Sequence, residues 1–284
     1  MNIAQQLING VILGAGYACV AIGWTVLLGA ARLVNFAHGQ LFMLGAFMAW
    51  FAMHRAGVSY AVAIPIAVLV MAGVGLVLQL AMRRLVLEQN LTSLMIVTLG
   101  FGYVLQGTAA KIFGGNPQSL VSPLEKTSVH LGELWFSWQD VLVVAVTLPL
   151  FAGLWLVLEH TRVGAMVRAV AEDPKLAQLL GLNPALVYAG VFVFEAATVA
   201  FAATLVAPRS PILTSMGFDE VILTFVVVVL GGVGSVGGTL VASLGLGMFT
   251  AFFGALVSPA YTTAAAFAVL LTVLVVRPGG LAAR

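Results

Sequence analysis

Charge is what this chain has least of. Of its 284 residues, 12 are lysine or arginine and 10 are aspartate or glutamate, 8% in all. Soluble domains carry about a quarter charged residues, so a water-facing surface is excluded for most of the chain. The single cysteine, Cys19, excludes an internal disulfide and a cysteine-built metal cluster. Its expected use is as a small apolar packing residue. A net charge of +2 offers no basic surface to nucleic acid. The first residues lack a basic leader and a small-residue cleavage site, so the first apolar span is expected to be retained.

What is present is apolar. Hydrophobic residues make up 62% of the chain and mean hydropathy is +1.12. Uncharged runs cover 1–31, 56–82, 89–110, 141–158 and 221–276. About 20 apolar residues cross the hydrocarbon core as a helix, so each run supplies a crossing and the last supplies several. The 31 glycines suit helices that approach closely through small residues. The fold class is therefore an all-α integral membrane protein. It forms one transmembrane domain over 1–284, a polytopic bundle of eight to nine transmembrane helices, some short or re-entrant.

Helices are predicted near 7–28, 36–53, 60–82, 92–112, 139–158, 185–207, 221–237, 239–256 and 261–276. Alternation puts 29–35, 83–90, 159–184 and the C-terminus on one side, with Arg32, Arg83, Arg84, Arg162, Arg168, Lys175, Arg277 and Arg284. The other side holds Arg55, Lys111, Lys126 and Arg209. The positive-inside bias makes the first side cytoplasmic, with the N-terminus outside and the C-terminus inside. The 113–138 segment, punctuated by Gly, Pro, Asn and Ser, reads as an external loop closed by interfacial Trp135, Phe136 and Trp138.

Five features interrupt this background. In Leu33-Val34-Asn35-Phe36-Ala37-His38-Gly39-Gln40, Asn35 is a good N-cap for a helix starting at Phe36. His38 and Gln40 would then sit in the first turn near an interface, at modest cost. The alternative is that Asn35 and His38 line the translocation path or its gate. No acidic or cysteine neighbour makes His38 a metal ligand, and no metal is expected. Glu195 breaks an apolar helix, and an acid at membrane depth marks a functional site by default. The other reading is hydrogen bonding to a neighbouring helix.

Gly231–Gly238 (GGVGSVGG) lacks the Lys-Ser/Thr ending of a phosphate loop. It reads instead as a turn between helices, with Gly234 and Ser235 as path candidates. Asp219 and Glu220 precede an apolar run, where acids favour a helix N-terminus.

The charged 159–184 segment is the fifth feature. Asp173 as N-cap, Pro174 at the first position and Gly181 as stop define a short helix. Leu176, Leu179 and Leu180 share one face, expected to pack, while Arg168, Glu172, Asp173 and Lys175 stay exposed. Such a helix is marginal alone in water and suits docking to a soluble partner.

Four stretches resemble the permease subunits of ATP-binding-cassette importers for branched-chain amino acids. They are LVNFAHGQLFMLGAF, RVGAMVRAVAEDPKLAQLLGLNP, LGGVGSVGGTLVAS and the closing VVRPGGL, and the resemblance runs over essentially the whole length. It implies two cytoplasmic ATP-binding subunits, a second related permease, a periplasmic substrate-binding protein and a multi-pass place in the bacterial inner membrane lipid. It also implies that ATP is used by the partner subunits and that this chain, not an enzyme, carries no cofactor. Arg168, Glu172, Asp173, Lys175, Ala177 and Gly181 would form the coupling helix region. Glu195 departs from the small or apolar residue such permeases lead one to expect. The implied cargo is a branched-chain amino acid or a related small amide or carboxylic acid. A self-sufficient secondary transporter or channel is the alternative, and it would need ion-coupling residues in the spans.

Overall fold

The structure is a computed structural model that describes residues 2–132, 134–277 and 279–281. Arg284, counted above among the inner cations, and Pro278 of the closing motif lie outside the described residues.

All nine expected helices form. They are α1 (Ile3–Ala31), α2 (His38–Arg55), α3 (Tyr60–Leu87), α4 (Leu91–Phe113), α5 (Trp138–His160), α8 (Pro184–Val206), α9 (Met216–Gly231), α10 (Val236–Leu256) and α11 (Thr262–Val276). Two charged helices, α6 (Arg162–Glu172) and α7 (Pro174–Leu179), lie between α5 and α8. The 113–138 loop contains a two-stranded hairpin, β1 (Ser128–Leu131) and β2 (Leu134–Ser137). Seven of the nine, all but α2 and α9, are long and apolar enough to cross a membrane.

Contacts sort the connections to two rims. At the first, the Gln5 side chain exchanges hydrogen bonds with the Trp135 backbone, Gln118 bridges to Ile212 and Arg209 pairs with Asp140 at 3.0 Å. At the second, Arg32 lies 4.0 Å from Glu172, Gln89 donates to the Tyr188 hydroxyl and Leu281 N–H donates to the Leu230 carbonyl. The chain starts at the first rim and reaches the second at residue 281, as nine alternating passes require.

Two of those passes are not full spans. After α1 ends, Arg32 at φ +53° turns the chain back, and 33–37 re-enters the bundle. Leu33, Asn35 and Ala37 are fully buried, and His38 reaches the Val20 carbonyl half-way along α1. The helix thus starts two residues later and far deeper than the sequence led one to expect, and its N-cap is Ala37, not Asn35. Likewise 210–215 runs inward from the first rim, with Ile212 buried, and α9 begins at Met216 beside Gly39. It starts five residues before the expected 221 and stops at Gly231 rather than 237. Asp219 and Glu220 therefore lie inside its first turns rather than ahead of it.

The packing repeats itself inverted. α1 packs along α10 as α8 packs along α3, and α2 rests on α3 as α9 rests on α10. α1 crosses α8 and α2 crosses α9, each helix meeting its own counterpart. The halves α1–α4 and α8–α11 are thus related by a pseudo-two-fold axis, with α5 as the odd pass that inverts the second. Small residues permit the tight crossings: a Cβ at Gly14 would stand 2.7 Å from the Leu244 Cα, closer than packed atoms allow.

Candidate translocation site

Irregular backbone inside a bundle needs its polar groups met, and the re-entrant strand shows how. Phe36 N–H donates to Thr98 Oγ1 at 3.1 Å, and Ala37 N–H donates to Asn35 Oδ1 at 3.0 Å. Asn35 Nδ2 then donates to both Glu195 oxygens, at 3.1 and 3.0 Å. His38 Nδ1 lies 2.9 Å from Glu195 Oε1, and its Nε2 lies 3.1 Å from the Val20 carbonyl. A carbonyl only accepts, so Nε2 carries a proton. Nδ1 and the Glu195 carboxyl are thus within hydrogen-bond distance of each other, fully out of water.

Asn35, His38 and Glu195 are all 0% exposed, and Trp24 stacks on His38 with ring centroids 5.2 Å apart. The structure therefore joins three of the five path candidates into one saturated cluster. It locks α2 to α8, which is the helix-bonding reading of Glu195. The modest interfacial cost assigned to His38 and Gln40 is corrected: the re-entrant strand carries both to full burial.

Gly234 and Ser235 lie elsewhere. Gly234, at φ +78°, rests on Gly29 at the second rim, and Ser235 Oγ accepts from Gly238 N–H at 3.0 Å, capping α10. Both line a groove with Glu159 and Arg168, so they belong with the charged helices and not with Asn35. The predicted turn between helices is present.

In that charged region the local sequence rules hold. Asp173 Oδ1 accepts from Lys175 and Leu176 N–H at 2.8 and 3.0 Å, capping α7. Gly181 ends the turn at φ +87°, and Asn183 caps α8 ahead of Pro184. Ala177, 2% exposed, seats α7 on the protein. The leucine face finds no packing partner within the chain: Leu176, Leu179 and Leu180 are 55%, 84% and 74% exposed and face away from it. Arg168 and Glu172 make only long, exposed pairs, Arg168 with Glu159 and Glu172 with Arg32, each at 4.0 Å.

Sequence reading missed two features. Gln139 donates to the Tyr60 hydroxyl and the Leu205 carbonyl at 3.2 and 2.7 Å, tying α3, α5 and α8 at the first rim. At the centre, a Cβ on Gly39 would strike the Gly217 carbonyl, and a Cβ on Gly217 would lie 2.6 Å from the Gly39 carbonyl. Each glycine is the second residue of its helix, so the reciprocal contact lies on the pseudo-axis. A glycine just inside each polar or acidic helix start was the only available signal. No grouping of three or more His, Cys, Asp or Glu suited to a metal occurs among the described residues.

Comparison with known proteins fits this architecture. The family described as branched-chain amino acid transport system / permease component matches residues 6–275. The high-affinity branched-chain amino acid transport system permease protein BraD of Pseudomonas aeruginosa is 30% identical over 294 residues, covering 99% of this chain and 95% of BraD. LivH of Escherichia coli, of the same description, is 30% identical over 298 residues with the same coverage. LivM of Salmonella typhimurium is 28% identical over 245 residues, 77% of this chain and 57% of LivM. Among solved structures, a chain of PsaBC from Streptococcus pneumoniae in complex with Fab overlays with a TM-score of 0.49 at 12% identity, over 95% of this chain and 90% of that one. With the match running almost end to end, the chain belongs to the permease components of branched-chain amino acid transport systems.

Proposed function

We propose that this chain is one membrane half of an ATP-driven importer that passes branched-chain amino acids, or related small amides and carboxylic acids, into the cytoplasm. Two cytoplasmic ATP-binding subunits drive it, a second related permease completes the path, and a periplasmic binding protein delivers cargo. Its place is the bacterial inner membrane, with the second rim inward; ATP stays on the partner subunits, and the permease itself needs no cofactor.

One observation carries this reading: the trio of exposed leucines on α7 and its C-cap. A six-residue helix, capped by Asp173 and seated by Ala177, holds Leu176 and Leu179, with Leu180 just after them, away from its own protein among charged neighbours. That is the arrangement of a helix that docks apolar anchors in a partner's groove. The relatives named LivH and LivM, both similar to this chain, support a paired permease.

The route from α7 inward is short. Gly181 and Asn183-Pro184 join α7 directly to α8, and α8 holds the re-entrant strand through Glu195. A displacement of α7 by the ATPases therefore moves α8 and, through Glu195, the start of α2. Alternating access then follows from the different contacts of the two states.

The test is reconstitution in liposomes. Uptake should require ATP and both ATP-binding subunits, and Leu179→Asp should leave ATP hydrolysis running while uptake falls. Uptake by this chain alone, without ATP, would sink the reading in favour of a self-sufficient transporter. Asp173→Ala removes the cap, at about 1 kcal/mol, and should raise the ATP consumed per molecule carried.

A further inference from the structure

Beside the saturated Asn35–His38–Glu195 cluster lies a polar group with no partner at all. Gln40 is 0% exposed, and neither its Oε1 nor its Nε2 makes a hydrogen bond. Its amide points at the start of α9: Oε1 lies 2.6 Å from where a Gly217 Cβ would stand, as near as the Gly39 carbonyl. Gly102, half-way along α4, closes the other side, with the Gln40 Cγ 3.3 Å from its Cβ position. The trapped amide therefore lies near the middle of the bundle.

Two helix N-termini converge on it. α2 leaves this point towards the first rim and α9 leaves it towards the second. Neither N-cap, Ala37 or Ser215, accepts a hydrogen bond from its helix through a side-chain oxygen. The positive ends of both helix dipoles thus face one spot. The one side chain aimed there offers a donor and an acceptor, both idle. Buried amides are normally paired, so an idle one at a closed junction implies a second state in which it is used.

We infer that Gln40 and the facing N-termini of α2 and α9 form a transient binding site for the zwitterionic end of an amino acid cargo, opened when the two half-helices part. The carboxylate takes the helix N–H groups and Gln40 Nε2, and the ammonium donates to Gln40 Oε1. In the conformation described here the Gly39–Gly217 backbone contact fills that place and shuts the path. The saturated cluster next door holds the start of α2 and does not touch cargo. This inference rests on the importer reading above and assigns it a cargo-contacting residue.

The test compares two orphaned glutamines in the assembled transporter. Gln79 on α3 is 1% exposed and its Nε2 is also unpartnered, but it lies away from the crossing on another helix. Gln40→Leu should assemble with its ATPase subunits and lower ATP-driven uptake of leucine about tenfold or more, the loss of hydrogen bonds to charged groups. Gln79→Leu should leave uptake unchanged. Uptake retained by Gln40→Leu, or lost equally by both, overturns the inference.

Should Gln40→Leu fail to assemble, Gln40→Cys in a Cys19→Ser background replaces it. A small hydrophilic thiol reagent should label it only with ATP and leucine-loaded binding protein present. Labelling that is absent throughout, or equal without turnover, overturns the inference. Wild-type uptake that needs no ATP would instead remove the importer reading, so the two failures are distinguishable.

Discussion

The two halves of the molecule share a backbone plan and differ in what they place on it. In the first, the half-helix α2 begins with His38, Gly39 and Gln40 behind Asn35, and two of these side chains bind Glu195 on α8. In the second, α9 begins with Met216, Gly217 and Phe218, and its nearest tie to the first half's counterpart helix is an aromatic one, Phe225 against Trp24 at 5.9 Å. The approach to α9 is held instead by backbone, through the Gln118–Ile212 bridge. One half-helix is bolted by side chains and its twin is not. Bilayer proteins obtain two openings from one inverted pair of repeats. Here the unequal fastening ties the start of α2 to α8 and leaves the start of α9 without a matching side-chain tie to α1.

The strongest test of the shared plan is at the axis. Gly39→Val and Gly217→Val should each prevent recovery of folded protein, because the atom struck is a backbone carbonyl of the twin helix. Overpacking a well-fitted core costs about 1–3 kcal/mol when side chains can shift, and here none is available to yield. Detergent extraction with size-exclusion chromatography reads the outcome. A monodisperse Gly39→Val protein would break the equivalence of the two starts.

Next in size is the bolt itself. Glu195→Ala leaves Asn35 Nδ2 and the His38 ring facing a void, and removing one member of a buried pair costs about 3–5 kcal/mol. Glu195→Gln is different: its Oε1 accepts from Asn35 and its Nε2 donates to His38 Nδ1, whose other nitrogen already holds a proton against Val20. The cost should be about 1 kcal/mol or less, with uptake near wild type. A thermal melt separates the two variants, and a Glu195→Gln protein as unstable as Glu195→Ala would show that the bolt depends on charge.

How much of this could be read from the residues follows from which rules are local. Asp173, Pro174, Gly181, Asn183 and Pro184 bound α7 and start α8 as their chemistry dictates, since capping acts within four residues. The apolar runs became helices because length and hydropathy leave no other option in lipid. The depth of α2 was not legible. Asn35 looks the same as a cap two residues early or as a clamp on an acid 160 positions away, and only the re-entrant turn at Arg32 decides. What covers Leu176, Leu179 and Leu180 was not legible for a related reason: an apolar stripe announces packing but not whether the partner is in the same chain. The inverted repeat left little trace because the halves share packing geometry and not side chains.

The smallest difference between the halves is at the arginines that close α1 and α8, and it is the most discriminating. Arg32 and Arg209 each precede a re-entrant strand. Arg32 stands 4.0 Å from Glu172 with side chains 66% and 87% exposed, whereas Arg209 meets Asp140 at 3.0 Å with 29% and 13%. Exposed pairs contribute at most a few tenths of a kcal/mol, so Arg32→Ala should move the melting midpoint hardly at all. Asp140 is also engaged in the capping box of α5, accepting from Ser137 N–H. Losing Arg209 leaves that half-buried carboxylate without its cation, and Arg209→Ala should cost about 1.5–3 kcal/mol. Arg32→Gly sharpens the contrast further. A non-glycine residue at φ +53° is strained by about 1 kcal/mol, so glycine there should stabilise the turn even as the ion pair disappears. If Arg32→Gly were instead as damaging as Arg209→Ala, the 4.0 Å pair with Glu172 would be tighter in the assembled transporter than in the isolated chain, and the α6 end would already be held by a partner.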